Sequence, residues 1–139
     1  MIKKTIKYTD YDDVERSEDF WFNLSKSELM EMNFSKEGGM EKVLRRIIDT
    51  QDMKGLIDIF QEIIMRSYGE KSDDGKRFIK VRDGHKLAED FAQTPAYDEL
   101  YMELATDDKA ATEFINGLIP KNLAKEVAQK KLELEGSVE

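Results

Sequence analysis

The residues whose types and order come nearest to a chemical site run from Tyr68 to Lys80, YGEKSDDGKRFIK. A phosphate loop places four residues between two glycines and follows the second with Lys and Ser or Thr. Backbone N–H groups then wrap the phosphates and the hydroxyl meets magnesium. Here five residues separate Gly69 from Gly75, and Arg77 stands where the hydroxyl would be. The preceding segment reads as a helix, not as the strand such a loop follows. A calcium loop with Gly75 at its sixth position would put Glu70, Ser72 and Asp74 at positions one, three and five. Position twelve would then be Val81, and the bidentate carboxylate that closes such a site is missing. A turn needs nothing more than Asp73-Asp74-Gly75, an Asx turn with a residue free to take positive φ.

Other chemistries find equally little. The chain has one histidine, His85, with Glu89 one helical turn on, which can begin a metal site but not complete it. There is no cysteine, so neither a disulfide framework nor thiolate chemistry is available. The serines fall in caps and turns, and no G-x-S-x-G elbow occurs. The acids are spaced as on solvated helical faces, and none stands out as a general acid or base. No catalytic residue, metal or cofactor is expected, and the chain reads as a non-enzyme.

Thirty acidic and 22 basic residues leave a net charge of −8. That disfavours a nucleic-acid binder, which needs a basic face for the phosphates. Between Ala96 and Ile119 there are six acids and one base, Lys109. A solvated helical face accounts for this stretch, with a docking site for a basic partner as the alternative. No apolar run approaches a membrane span and no signal peptide is visible, so a cytosolic protein without a membrane partner is expected.

Residues 1–24 alternate. Ile2, Ile6 and Tyr8 share one parity, as do Val14, Phe20, Phe22 and Leu24, so a β-hairpin turning at Asp12-Asp13 is expected, with Trp21 on its second face. Period 3.6 takes over at Ser25, where Ser25-Lys26-Ser27-Glu28 is a capping box. Stripes follow at Met40, Val43, Leu44, Ile47 and Ile48, then at Met53, Leu56, Ile57, Phe60, Ile63 and Ile64, with Gly69 as a helix stop. Arg77 to Val81 reads as a short extended piece. Helices are then predicted through Leu87 and Phe91, from Thr94-Pro95 through Leu104, and from Asp107 through Leu118. The fold class is α+β, mainly α: an N-terminal β-hairpin over 1–24, then a body of five to seven short helices over 25–120. Residues 121–139 are expected to stand off as a C-terminal helix or to fray. A single domain over 1–120 is expected from the length.

Seven methionines, seven phenylalanines and five tyrosines suggest adaptable apolar surface. Most belong on core stripes. Trp21, Met65 and Met102 lie off the core faces of their elements, which makes them candidate partner-binding residues.

Three segments, IKYTDYDDVERSEDFWFNLSKSEL, YGEKSDDGKRFIK and FAQTPAYDELYMELATDDKAATEFINGLIP, occur in an order similar to the tail assembly chaperones of long-tailed (siphovirus-type) bacteriophages of Gram-positive hosts. The similarity covers residues 1 to about 120. The turn at Asp12-Asp13, in place of an Asn-Gly type, and the stretch VRDGHKLAEDF depart from it. The resemblance implies a small, mainly helical, non-enzymatic chaperone that binds the tape measure protein, keeps it soluble and helps recruit tail tube protein. It implies a protein of the host cytoplasm that is absent from the finished virion. It also implies a possible homo-oligomer and a longer frameshift product, to which Lys130-Lys131 is the only pointer in the residues. The competing expectation is a small phage regulatory or adaptor protein that binds a host factor. A gene lying between those of the tail tube and tape measure proteins separates the two.

Overall fold

The structure, a computed structural model, describes residues 1–119. In chain order the elements are β1 (Ile2–Thr9), β2 (Glu15–Phe22), α1 (Lys26–Ser35), α2 (Met40–Thr50), α3 (Met53–Ser67) and β3 (Tyr68–Lys71). Then come β4 (Phe78–Ile79), β5 (Val81–Arg82), β6 (His85–Lys86), α4 (Leu87–Phe91), α5 (Pro95–Thr106) and α6 (Asp108–Leu118). This is the expected α+β architecture, a hairpin followed by six helices among the described residues. The C-terminal helix expected over residues 121–139 lies outside them.

The hairpin forms because its parity puts Ile2, Ile6, Phe20 and Phe22 on one face, with Ile2 opposite Phe22 and Lys4 opposite Phe20. Its turn is longer than the two-residue Asp-Asp turn expected. The Asp10 N–H donates to the Val14 carbonyl and the Asp13 N–H to the Asp10 carbonyl, which leaves a three-residue loop, Tyr11–Asp13. Asp13 takes φ +62°. A loop of this length lets an αL residue reset the strand twist, which a plain two-residue Asp-Asp turn does poorly. Asp10 holds the loop together. Its carboxylate accepts from the Asp12 and Val14 N–H groups and from Arg16 Nε, and these bonds keep it below the ordinary carboxylate range.

The hairpin is the first half of a four-stranded antiparallel sheet in the order β1-β2-β3-β4, with β5 and β6 as a separate two-stranded ribbon. Strand β3 follows α3 directly, and β4 returns beside it after the turn over 72–77. Gly69 is therefore not the helix stop expected of it. Tyr68, in extended conformation, caps α3, and Gly69 lies in β3 opposite Trp21. The glycine is needed for close approach: a Cβ there would stand 2.5 Å from the Ile79 carbonyl oxygen and 2.5 Å from the Phe78 ring.

Helices cover one face of the sheet. The core joins Ile6, Phe22 and Leu24 of the hairpin side to Leu29, Met32, Met40, Ile47, Phe60, Ile63, Ile64, Phe91, Leu100, Leu104, Phe114 and Leu118. Phe22 is fully buried. Its ring lies 5.7 Å from Tyr68, 5.9 Å from Phe91 and 5.3 Å from Phe114, all edge-on. Tyr68 stacks on Phe91 at 4.2 Å. The stripes predicted for α2 and α3 form the core with three exceptions: Ile57 is half-buried outside the core, where Ile59 takes a place instead, and Ile48 and Met53 stand in solvent. Both flank the α2–α3 corner, where Gln51 turns the chain in the left-handed region at φ 53°. The chain reverses there before either side chain can reach a partner.

The capping box at the start of α1 forms as read: the Glu28 N–H donates to Ser25 Oγ, and the Ser25 N–H donates to the Glu28 carboxylate. A long-range contact is added. Lys80 Nζ donates to both Glu28 oxygens, at 2.7 and 2.6 Å, and to the Arg66 carbonyl at 2.6 Å. One lysine thus ties the end of β4 to the beginning of α1 and the end of α3. Burial pushes the Glu28 carboxyl up, but Lys80 and the Ser25 N–H outweigh it and hold the group below its ordinary value.

Two outcomes are expected. Gly69→Ala must displace backbone or ring atoms and is expected to destabilise the fold by about 1–3 kcal/mol in urea unfolding. A carboxylate with a depressed folded pKa contributes stability above its unfolded pKa and loses it as pH falls through the folded value. Glu28→Gln keeps an N3 residue suited to the capping box. It is expected to be less stable than the parent at neutral pH, and the gap should close as pH falls below the ordinary value of 4.5. Urea midpoints across that range check it.

Candidate functional site

The Tyr68–Lys80 stretch closes on itself. Ser72 is buried, and its Oγ donates to Asp74 Oδ1 at 2.6 Å and accepts from the Arg77 N–H at 3.0 Å. The Lys76 N–H donates to the same Asp74 oxygen. These bonds lower the Asp74 pKa, Ser72 most of all. Gly75 takes φ +72°, as an Asx turn requires of it. Of the acids that looked available for ligation, Asp74 is spent on the loop itself and Glu70 on Arg82 of β5.

Elsewhere the carboxylates are matched to cations across elements. Lys4 of β1 meets Glu103 of α5 at 2.9 Å, Lys36 meets Glu62 of α3 at 2.6 Å, and Arg82 of β5 meets Glu70 of β3 at 2.7 Å. His85 lies exposed in β6. Among the described residues no three His, Cys, Asp or Glu side chains gather as a metal site, and no helix is long and apolar enough to cross a membrane.

The surface that remains to be explained is apolar. Phe34 is 60% exposed, Ile48 68%, Met53 56% and Met102 56%. Helix α1 turns Leu29 and Met32 inward and leaves Met30 and Phe34, one turn apart, outside. At the α2–α3 corner an open pocket of about 380 Å³ is lined by Ile47, Ile48, Gln51, Asp52, Met53 and Leu56. The corner is fixed from both sides. The Asp52 N–H donates to the Ile47 carbonyl, and the Asp52 carboxylate accepts from the Gly55 N–H at 3.0 Å. An aliphatic pocket on a fixed corner, bordered by an amide and a carboxylate, can receive an apolar side chain.

The three residues singled out from the sequence do not converge. Met102 stands exposed on α5, which packs on the helix-covered face of the sheet through the Lys4–Glu103 pair. Trp21 points from β2 to the opposite, open face, directly across from Lys3 and Gly69, and is half-buried. The sheet therefore separates Trp21 from Met102. Met65 is half-buried on α3. Sequence reasoning missed Phe34, Ile48 and Met53. Two signals were present: apolar residues on both sides of α1, and the polar pair Gln51-Asp52 cutting two apolar stripes apart.

A mainly helical body follows an N-terminal hairpin, and apolar side chains stand exposed on α1, at the α2–α3 corner and on α5. The family of phage tail assembly chaperones matches residues 1–138, and the chain belongs to that family. No curated protein and no solved structure matches it.

Proposed function

We propose that this chaperone binds the tape measure protein of its phage, holds it soluble and helps recruit tail tube protein around it, without catalysing a reaction. The observation that carries the reading is the apolar α2–α3 pocket with Ile48 and Met53 at its rim. An amphipathic helix of a long client would seat side chains there in helix-in-groove fashion. Met65, Met102 and Trp21 are proposed as further contacts on other faces. Contacts spread around one small domain suit a client held by several chaperone copies, each covering a few turns. Affinity would come from buried apolar area, at about 25 cal/mol per Å² before ordering costs. The net charge of −8 would keep the assembly soluble. The chaperone would act in the host cytoplasm and leave before the virion is complete.

The test is a pull-down with the tape measure protein at low and at roughly 0.5 M salt. The variants are Ile48→Glu, Met53→Glu, Met65→Glu and Met102→Glu, with circular dichroism to establish the fold. Binding should persist in salt and fall with Ile48→Glu or Met53→Glu. If salt abolishes it and every folded variant still binds, the groove is wrong and the acidic residues between Ala96 and Ile119 become the docking face. A longer product made by slippage near Lys130-Lys131 is proposed as well. Mass spectrometry of infected cells should find the extended form, and a gene with no slippery run near its end would rule it out.

A further inference from the structure

The sheet's open face differs in charge from the rest of the molecule. Side chains alternate across a strand, so on the face that no helix covers among the described residues stand Lys3, Thr5, Lys7 and Thr9 of β1, Glu15, Ser17, Asp19 and Trp21 of β2, Lys71 of β3 and Phe78 of β4, with three lysines against two acids. The register sets Lys3 directly across from Trp21, and Lys71 directly across from Phe78. Between the two aromatics lies Gly69, whose missing side chain lets the Phe78 ring settle over the backbone of β3. The result is an aromatic patch with lysines on both sides. Lys80 adds a third flank, with its Nζ 5.8 Å from the centre of the Phe78 ring, although Glu28 already neutralises it. Lys3 is only loosely matched to Asp19, at 4.0 Å. Lys7 and Lys71 make no ion pair among the described residues.

In a chain with eight more acids than bases, this arrangement calls for a specific partner. We propose that the open sheet face docks an acidic peptide segment of a tail protein. An aromatic or large aliphatic side chain of that segment would lie on Trp21 and Phe78, and its carboxylates would meet Lys3, Lys7 and Lys71. The inference rests on the reading of the chain as a binder of tail proteins, and adds a second surface and its chemistry to the α2–α3 pocket. Charge complementarity favours a carboxylate-bearing segment over a neutral or basic one. A single-stranded nucleic acid also stacks on aromatics beside lysines. A strand with a phosphate at every nucleotide would have to run past Glu15, Asp19 and the acidic turn of the same hairpin, whereas a peptide can set its carboxylates at the lysines alone, so the peptide is favoured.

Trp21 is the only tryptophan, so its fluorescence reports this face alone. The full chain is titrated with short overlapping peptides that cover the tape measure and tail tube proteins, and separately with an oligothymidylate. The peptides that shift Trp21 emission are expected to be net acidic with an aromatic or aliphatic anchor. Lys3→Glu with Lys71→Glu should weaken them roughly tenfold at low salt, Lys3→Gln with Lys71→Gln less, and Ile48→Glu not at all. The proposal is overturned if the active peptides are basic or neutral, if the lysine variants bind as well as the parent, if only the oligothymidylate shifts the emission, or if no peptide does. Retained capture of the tape measure protein, lost on Ile48→Glu, would in those cases leave the pocket reading standing. Loss of all capture by the parent chain would remove both.

Discussion

One buried ring joins the hairpin to elements from the middle and the end of the described chain. Phe22 closes β2 with its side chain under the helices, and the rings around it come from β3, α4 and α6. Edge-on contacts between such rings add to the burial of their area, and each fixes an angle as well as a distance. Because Tyr68 is stacked flat on Phe91, the strand that begins at Tyr68 and the helix that ends at Phe91 cannot shift independently. Burial pushes the Tyr68 phenol up to about 12, so the ring stays uncharged wherever the protein is folded in ordinary buffers. The hairpin would be marginal alone. Joined to this cluster, it becomes part of the core.

Around that centre, charges set the joints between elements. Lys4–Glu103 fastens β1 to α5, Lys36–Glu62 fastens the end of α1 to α3, and Lys80–Glu28 fastens β4 to α1. Half-exposed pairs of this kind contribute modestly to stability. Their effect is on geometry, since each joins residues far apart in sequence. Several basic residues are thereby committed inside the fold, while many acids remain in solvent. The apolar corner at Ile48 and Met53 is held rigid by backbone bonds and a single cap, so it does not collapse onto itself for want of a partner.

Local patterns in the chain foretold local structure well. The parity of Ile2, Ile6, Phe20 and Phe22 marked the hairpin and its buried face, although a two-residue turn at Asp12-Asp13 would have set the pairing one residue off, and Ser25, Thr94 and Asp107 marked helix starts that the structure confirms. What failed was non-local. Strand β3 has few residues and no alternation of its own; it exists because β2 offers an edge beside Tyr68 and Gly69, and it in turn pairs with β4, which lies in the extended piece expected over Arg77 to Val81. Gly69 carries the same letter whether it ends a helix or lets a ring pass overhead. The exposed apolar residues were hidden for a related reason. Ile48 and Met53 fit their helical stripes, and only the left-handed turn at Gln51, a residue with no marked preference for that conformation, takes them out of the core.

The pairing of Phe22 with Tyr68 also imposes an order in time. The hairpin leaves the ribosome before the helices, yet its second strand meets its neighbour only after α1, α2 and α3 have been made. Until then one edge of β2 and the faces of Phe20 and Phe22 have no native cover. Non-local strand pairing of this kind is slow, because a long loop must close before the contact forms. Helix α3 runs into β3 without an intervening residue, so the arrival of that helix delivers the missing strand. This tail assembly chaperone thus passes through a stage of synthesis in which its own sheet is open to association.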